Sequence, residues 1–152
     1  MPQRALAFVA LSLPALLGAH GQEPAAERLA GVALPPALER VLTDYERAWK
    51  GGDEEELARL FVPDGFVPGR LGWLRGRDAI RDKYRDAGGD LRLRALAFSA
   101  GENVGFIIGA YGYGDEAATM DEGSFILALA RESPAAPWLI VADLDRGNER
   151  PE

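Results

Sequence analysis

Cysteine is missing from this 152-residue chain, and histidine occurs once, as His20. Without cysteine there is no disulfide framework and no thiol to act as nucleophile or metal ligand. Zinc sites draw largely on these two residue types, and Ser–His or Cys–His nucleophile pairs need an imidazole beside the nucleophile. The composition argues against all of these at once. Positive charge is also short: 17 Lys and Arg stand against 24 Asp and Glu, a net charge of −7. Recognition of a phosphate backbone needs clustered basic residues, and this balance opposes it. Carboxylates, tyrosines, arginines and backbone groups are what remain for chemistry.

The N-terminal apolar run, Ala5 to Leu17, is broken only by Ser12 and Pro14 and is too short to span a bilayer. Arg4 precedes it, and small residues follow at Ala19 and Gly21. That order is the layout of a secretory signal peptide over residues 1–21, with cleavage expected before Gln22. An uncleaved amphipathic helix is the alternative. Export to a periplasm or to the outside is therefore expected. Cleavage would take away Arg4 and His20, leaving 16 cationic against 24 acidic side chains, a net charge of −8. Such a charge suits a soluble exported protein.

Residues 22–35 are rich in alanine and proline and read as a linker, although Leu29, Val32 and Leu34 could form a short docking turn. A domain is expected over 36–146, followed by a tail, 147–152. Pro35-Pro36 opens a helix whose apolar face is Leu38, Val41, Leu42, Tyr45, Ala48 and Trp49, at spacings of three and four. Gly51-Gly52 ends it and Asp53 is placed to cap a second helix. Glu54, Glu55 and Glu56 then sit in the first turn, where the macrodipole favours negative charge. Leu57, Leu60 and Phe61 give that helix its buried side, and "VPDG" reads as a turn. "FVPGRLGW" reads as a short interrupted strand or hairpin. A third helix is expected from Arg77 to about Ala87, burying Ala79, Ile80 and Tyr84.

After Gly89 the pattern shifts to four long strands with short links, an antiparallel meander. "FIIGAY", "FILALA" and "WLIVA" are apolar at both parities. A sheet with one face in water should alternate, so both faces are expected to be covered. The helices cover one; a second copy is the simplest cover for the other, giving a homodimer through the outer face of the sheet. The glycines between Gly105 and Gly114 are expected where that sheet bends.

In order along the chain, "YERAWKGGDEEELARLF", "PDGFVPG", "GRDAIRDKY", "DEGSFILAL" and "PWLIVADLDRGN" resemble the nuclear-transport-factor-two-like superfamily, in particular its SnoaL-like members and a bacterial domain of unknown function. The resemblance implies an α+β fold: a cone-shaped half-barrel, three N-terminal helices packed in a strongly curved antiparallel sheet, with a pocket at the open end. Ketosteroid isomerases of that superfamily use a first-helix tyrosine, a carboxylate base on the first strand and a protonated carboxylic acid on a later strand. Tyr45 falls at the tyrosine position. The base position falls near Gly69, where this chain has no carboxylate. The superfamily's dehydratases rely on histidine, which this chain lacks beyond His20.

Asp143 and Tyr45 are the candidate catalytic pair. Two readings stay open for each. Tyr45 is either a core tyrosine with one hydroxyl partner or the polar end of a pocket. Asp143 shares strand parity with Leu139 and Val141. It is either a pocket carboxyl acting as general acid or base, or an aspartate paired with Arg94 or Arg131 or emerging at the strand end. Tyr45, Trp49, Phe66, Trp73, Tyr111, Phe125 and Asp143 are the expected ligand-binding set. Arg92 and Arg94 read as a solvated or dimer-edge stripe, and Asp121 and Glu122 either as a cap on the pocket mouth or as a loop in water. No metal and no cofactor are expected. Three functions follow: binding of a small, largely apolar molecule without an assigned reaction, cofactor-independent isomerase, cyclase or lyase chemistry, or a non-catalytic interaction module.

Overall fold

The structure is a computed structural model that describes residues 27–148. The expected signal peptide, part of the linker and most of the tail lie outside those residues. The elements are α1 (Pro36–Gly51), α2 (Glu54–Arg59), β1 (Phe61–Gly69), β2 (Gly72–Arg75), α3 (Arg77–Lys83), β3 (Leu91–Ala100), β4 (Val104–Tyr113), a 3-10 turn (Gly114–Ala118), β5 (Gly123–Ala130) and β6 (Leu139–Gly147).

The break between α1 and α2 is built as the residues dictate. Gly52 adopts φ 63°, a left-handed conformation that costs glycine little, and its N–H donates to the Ala48 and Trp49 carbonyls. Asp53 then accepts from the Glu56 N–H at 2.8 Å, capping α2. The acidic first turn is tied outward by Glu55–Arg81 and Glu56–Arg47 ion pairs. The apolar face of α1, from Leu38 to Ala48, is buried against the concave side of the sheet, where Phe61, Ile107, Leu127, Leu129 and Ile140 are also buried.

Six strands form one sheet in the order β2-β1-β6-β5-β4-β3. The meander β3 to β6 is antiparallel. β1, however, runs parallel to β6, so the sheet is mixed rather than wholly antiparallel. The "VPDG" stretch is part of β1 rather than a turn, and Phe61 opens that strand instead of closing α2. The pairing with β6 shifts between Phe61 and Phe66. Pro63, which lacks an N–H, is tolerated at such an irregularity, and that is why its turn signal misleads. Asp64 is exposed and paired with Arg75 at 2.7 Å. α3 ends at Lys83, four residues short of Ala87.

Segment 27–34 lies along β3. The Val32 N–H donates to the Ala95 carbonyl at 2.9 Å, and Arg94 donates to Leu29 O and to Asp121, the latter at 2.6 Å. Arg94 is therefore held under this segment, not part of a solvated stripe; Arg92 does stand in solvent, bonded to Asp90.

The outer face of the sheet carries an apolar row across four strands, Ala97, Ile108, Ile126 and Leu144, set by the cross-strand register. Ile108 is 38%, Ile126 45% and Leu144 47% exposed in the single chain.

Candidate functional site

Asp143 reaches the interior through a local irregularity of β6. Leu129 faces Ile140 and Ala128 faces Ala142, so Val141 is an extra residue with no partner on β5. Such a bulge resets the alternation of side chains. As a result Ile140 and Asp143, three positions apart, both point into the concave side, whereas Leu144 points out. Simple parity puts Asp143 with Leu139 and Val141; the bulge instead puts it with Ile140.

Asp143 is 4% exposed, and it is not paired with arginine. Arg94 is engaged by Asp121, and Arg131 stacks over Trp138 while donating to the Glu102 and Pro134 carbonyls. Its partners are two phenols: Tyr45 from α1 donates to Oδ2 at 2.9 Å, and the Tyr84 hydroxyl, at the end of α3, lies 3.3 Å from the same oxygen. The two hydroxyls are 3.2 Å apart. Each phenol has one proton, so Tyr45 serves Asp143 and Tyr84 donates either to Asp143 or to the Tyr45 oxygen. Oδ1 has no hydrogen-bond donor among the described residues.

Burial dominates the electrostatics. It pushes the Asp143 carboxyl up to about 7, with the charge of Asp145 adding to the rise. The phenol hydrogen bonds and Lys83 pull it back down without cancelling burial. Tyr45 and Tyr84 are raised well above the usual phenol range, first by burial and then by the Asp143 charge. All three groups thus hold protons up to neutral pH, and Asp143 is the one that releases its proton there. Tyr45→Phe removes a donor to the carboxylate and should raise the Asp143 pKa further. Carbon-13 NMR of the side-chain carboxyls checks this, and a downward or null shift would contradict the geometry.

The triad sits at the inner end of a cavity of about 210 Å³ lined also by Trp49, Leu91, Leu93, Tyr111, Tyr113, Phe125 and Leu127, with Lys83 and Asp145 as its exposed members. Two of its walls depend on glycines. Gly109 faces Phe125, and Gly123 faces Tyr111, across adjacent strands. A Cβ on either glycine would overlap the opposite ring. These glycines do more than let the sheet bend; they leave the surface on which the two rings lie. Gly109→Ala should cost about 1–3 kcal/mol by overpacking, read as a lower denaturant midpoint; an unchanged midpoint would contradict the close packing.

Of the expected set, Tyr45, Trp49, Tyr111, Phe125 and Asp143 line the cavity. Phe66 and Trp73 do not. They meet edge to face at 6.2 Å on the β1–β2 hairpin, where Arg75 covers Phe66 and Trp73 is 57% exposed. That hairpin forms the edge of the sheet opposite β3, so its aromatics pack on each other away from the cavity. Gly69 stands at the tip of the same hairpin and cannot carry a base. Tyr84 is the site residue that sequence reasoning left in the core. It falls one helical turn after Ile80, on the buried side of α3, but nothing local says that its hydroxyl meets Tyr45.

No protein-family model matches the sequence, and no curated sequence is similar to it. Solved structures are similar in fold. An NTF-2 like protein of unknown function from Shewanella oneidensis MR-1 superposes with TM-score 0.58 at 15% identity, covering 72% of this chain and 95% of its own. A domain of unknown function with a cystatin-like fold from Nostoc punctiforme gives 0.60 at 16%, covering 75% and 76%. A candidate scytalone dehydratase from Novosphingobium aromaticivorans gives 0.59 at 18%, covering 74% and 83%. The chain has the cone fold of these proteins, and identities this low establish the fold alone.

Proposed function

We propose that the protein binds a small, largely apolar molecule in the cavity and that Asp143, with Tyr45, transfers a proton to or from it, the chemistry of cofactor-independent isomerases, cyclases and lyases. The observation that carries this is the 2.9 Å contact between Tyr45 and Asp143 at the inner end of a mainly apolar cavity. A carboxyl near neutral pKa both holds and releases a proton at working pH, the property a general acid or base needs. A buried phenol beside it can donate to a ligand oxygen on which charge develops once it gives up its bond within the triad, and the 3.3 Å contact of Tyr84 is the longer one to exchange. The cavity has room for a molecule of roughly one or two rings, which weighs against a module filled by its own side chains. The reaction of the scytalone dehydratase neighbour does not transfer, because a shared fold does not imply shared chemistry.

Two accompanying proposals rest on other parts of the chain. Export rests on the order of charge, apolar run and small residues in 1–21. Homodimerisation rests on the apolar outer row of Ile108, Ile126 and Leu144.

Hydrogen–deuterium exchange tests the proton transfer without knowing the reaction. One- and two-ring ketones, with and without an amino substituent, are incubated in D2O with the protein, and exchange α to the carbonyl is followed by NMR. At least one should exchange faster with the parent protein, and Asp143→Asn should remove roughly 10²-fold or more of that acceleration. Acceleration that survives Asp143→Asn would remove Asp143 from the chemistry.

A further inference from the structure

Aromatic rings make up half of the cavity lining, and its acidic groups outnumber its one cation. Six of its twelve lining residues carry rings: Tyr45, Trp49, Tyr84, Tyr111, Tyr113 and Phe125. Two more are carboxylic acids, Asp143 at the inner end and Asp145 among the exposed members. Glu122 adds to the negative field: burial raises the Tyr111 and Tyr113 phenols, and the charges of Asp145 and Glu122 raise them further. The one cation in the lining, Lys83, donates from its Nζ to the Pro68 carbonyl on β1.

An anion entering this space meets two carboxylates and ring π-clouds that oppose it, and only Lys83 attracts it. A neutral ligand gains a hydrogen bond and apolar contact. A cation gains attraction to the rings, which recognise ammonium groups in aromatic cages, and a full charge opposite a buried carboxyl, against which stands only the repulsion of Lys83. Oδ2 of Asp143 already serves Tyr45 and Tyr84, whereas Oδ1 has no donor among the described residues. A primary ammonium brings three donors to such an oxygen. No guanidinium in the described chain reaches it.

We infer that the ligand is a small organic ammonium ion, its nitrogen at Asp143 Oδ1 and its apolar body against the rings. The inference rests on the cavity being a ligand site, as proposed above, and names the class of molecule. It also sets the direction of proton traffic, because a neighbouring cation favours the carboxylate and makes Asp143 the acceptor. The groups around Asp143 are Tyr45 from α1, Lys83 and Tyr84 at the end of α3, Tyr111 from β4 and Asp145 from β6. Since Asp143 keeps its proton up to about pH 7, binding the cation displaces that proton. Affinity should then fall about tenfold per pH unit below 7.

Benzylamine, benzyl alcohol and benzoate share one ring and differ in charge. Each is titrated into the full chain at pH 8, where the amine is protonated, with the cavity residues followed by NMR. Benzylammonium should bind at least about tenfold tighter than the alcohol, with benzoate weakest, and in Asp143→Asn its advantage should shrink to about threefold or less. An alcohol or benzoate that binds as tightly as the ammonium overturns the inference and leaves the cavity a ligand site. An ammonium preference that survives Asp143→Asn overturns the placement at Oδ1. Three ligands that leave the cavity resonances unmoved overturn both the inference and the ligand-site proposal.

Discussion

Asp143→Asn should make the protein more heat-stable relative to the parent at pH 8 than at pH 4, with the gap between them changing by about 4 kcal/mol. The magnitude follows from a carboxyl raised from 3.8 to about 7 by burial. The sign follows from linkage. Between those two pH values the folded state holds a proton that the unfolded state has released, so parent stability falls as pH rises from about 4 to about 7 and is level above. Asparagine has no such proton, and it still offers an oxygen to Tyr45 and Tyr84. Its amide brings its own desolvation cost, but that cost does not vary with pH. All other titrating groups are common to both proteins and cancel in the difference. For a domain of this size the change corresponds to more than about 10 °C in relative Tm. Thermal unfolding of both proteins at the two pH values is sufficient, and a gap independent of pH would mean that Asp143 is not buried as described. A carboxyl that costs the fold stability once it ionises is one kept for another reason, which is the argument for function at this position.

If the proposed homodimer forms through the outer face of the sheet, Ile126→Asp should turn it into a monomer. Ile126 lies at the middle of the outer apolar row, opposite Ile108 on β4 and Leu144 on β6. If two copies pair through that face, the twofold axis places the substitution in the interface twice. An uncompensated buried charge costs about 3–5 kcal/mol, and two of them amount to roughly four decades or more in Kd. The substitution leaves the concave side untouched, so ligand titrations should be unchanged unless pairing shapes the cavity. Light scattering of both proteins at micromolar concentration reads the outcome. A parent protein that is monomeric there sinks the dimer proposal.

Much of this molecule could be read from local pattern because local physics decided it. The face of α1, the left-handed stop at Gly52, the cap at Asp53 and the four strands after Gly89 all follow from spacing, glycine freedom and capping chemistry. Tyr45 and Asp143 could be nominated because a hydroxyl on a buried helix face and a carboxyl in an apolar strand each need a reason. The same reading misplaced Phe66 and Trp73, since an apolar aromatic looks alike in a cavity wall and in a hairpin that packs on itself.

The sequence by itself determined how few thiol and imidazole groups the chain has to offer, where most of its helices and strands fall, and that one carboxyl would be costly to bury. Only the tertiary structure decided that this carboxyl would meet two phenols. Three things make that meeting: an unpaired residue at Val141, a strand β1 added parallel to β6, and the end of α3 brought against α1. None has a local signature. A bulge breaks the very periodicity from which facing is inferred, and contacts between residues 39 to 98 positions apart depend on the closure of the whole cone.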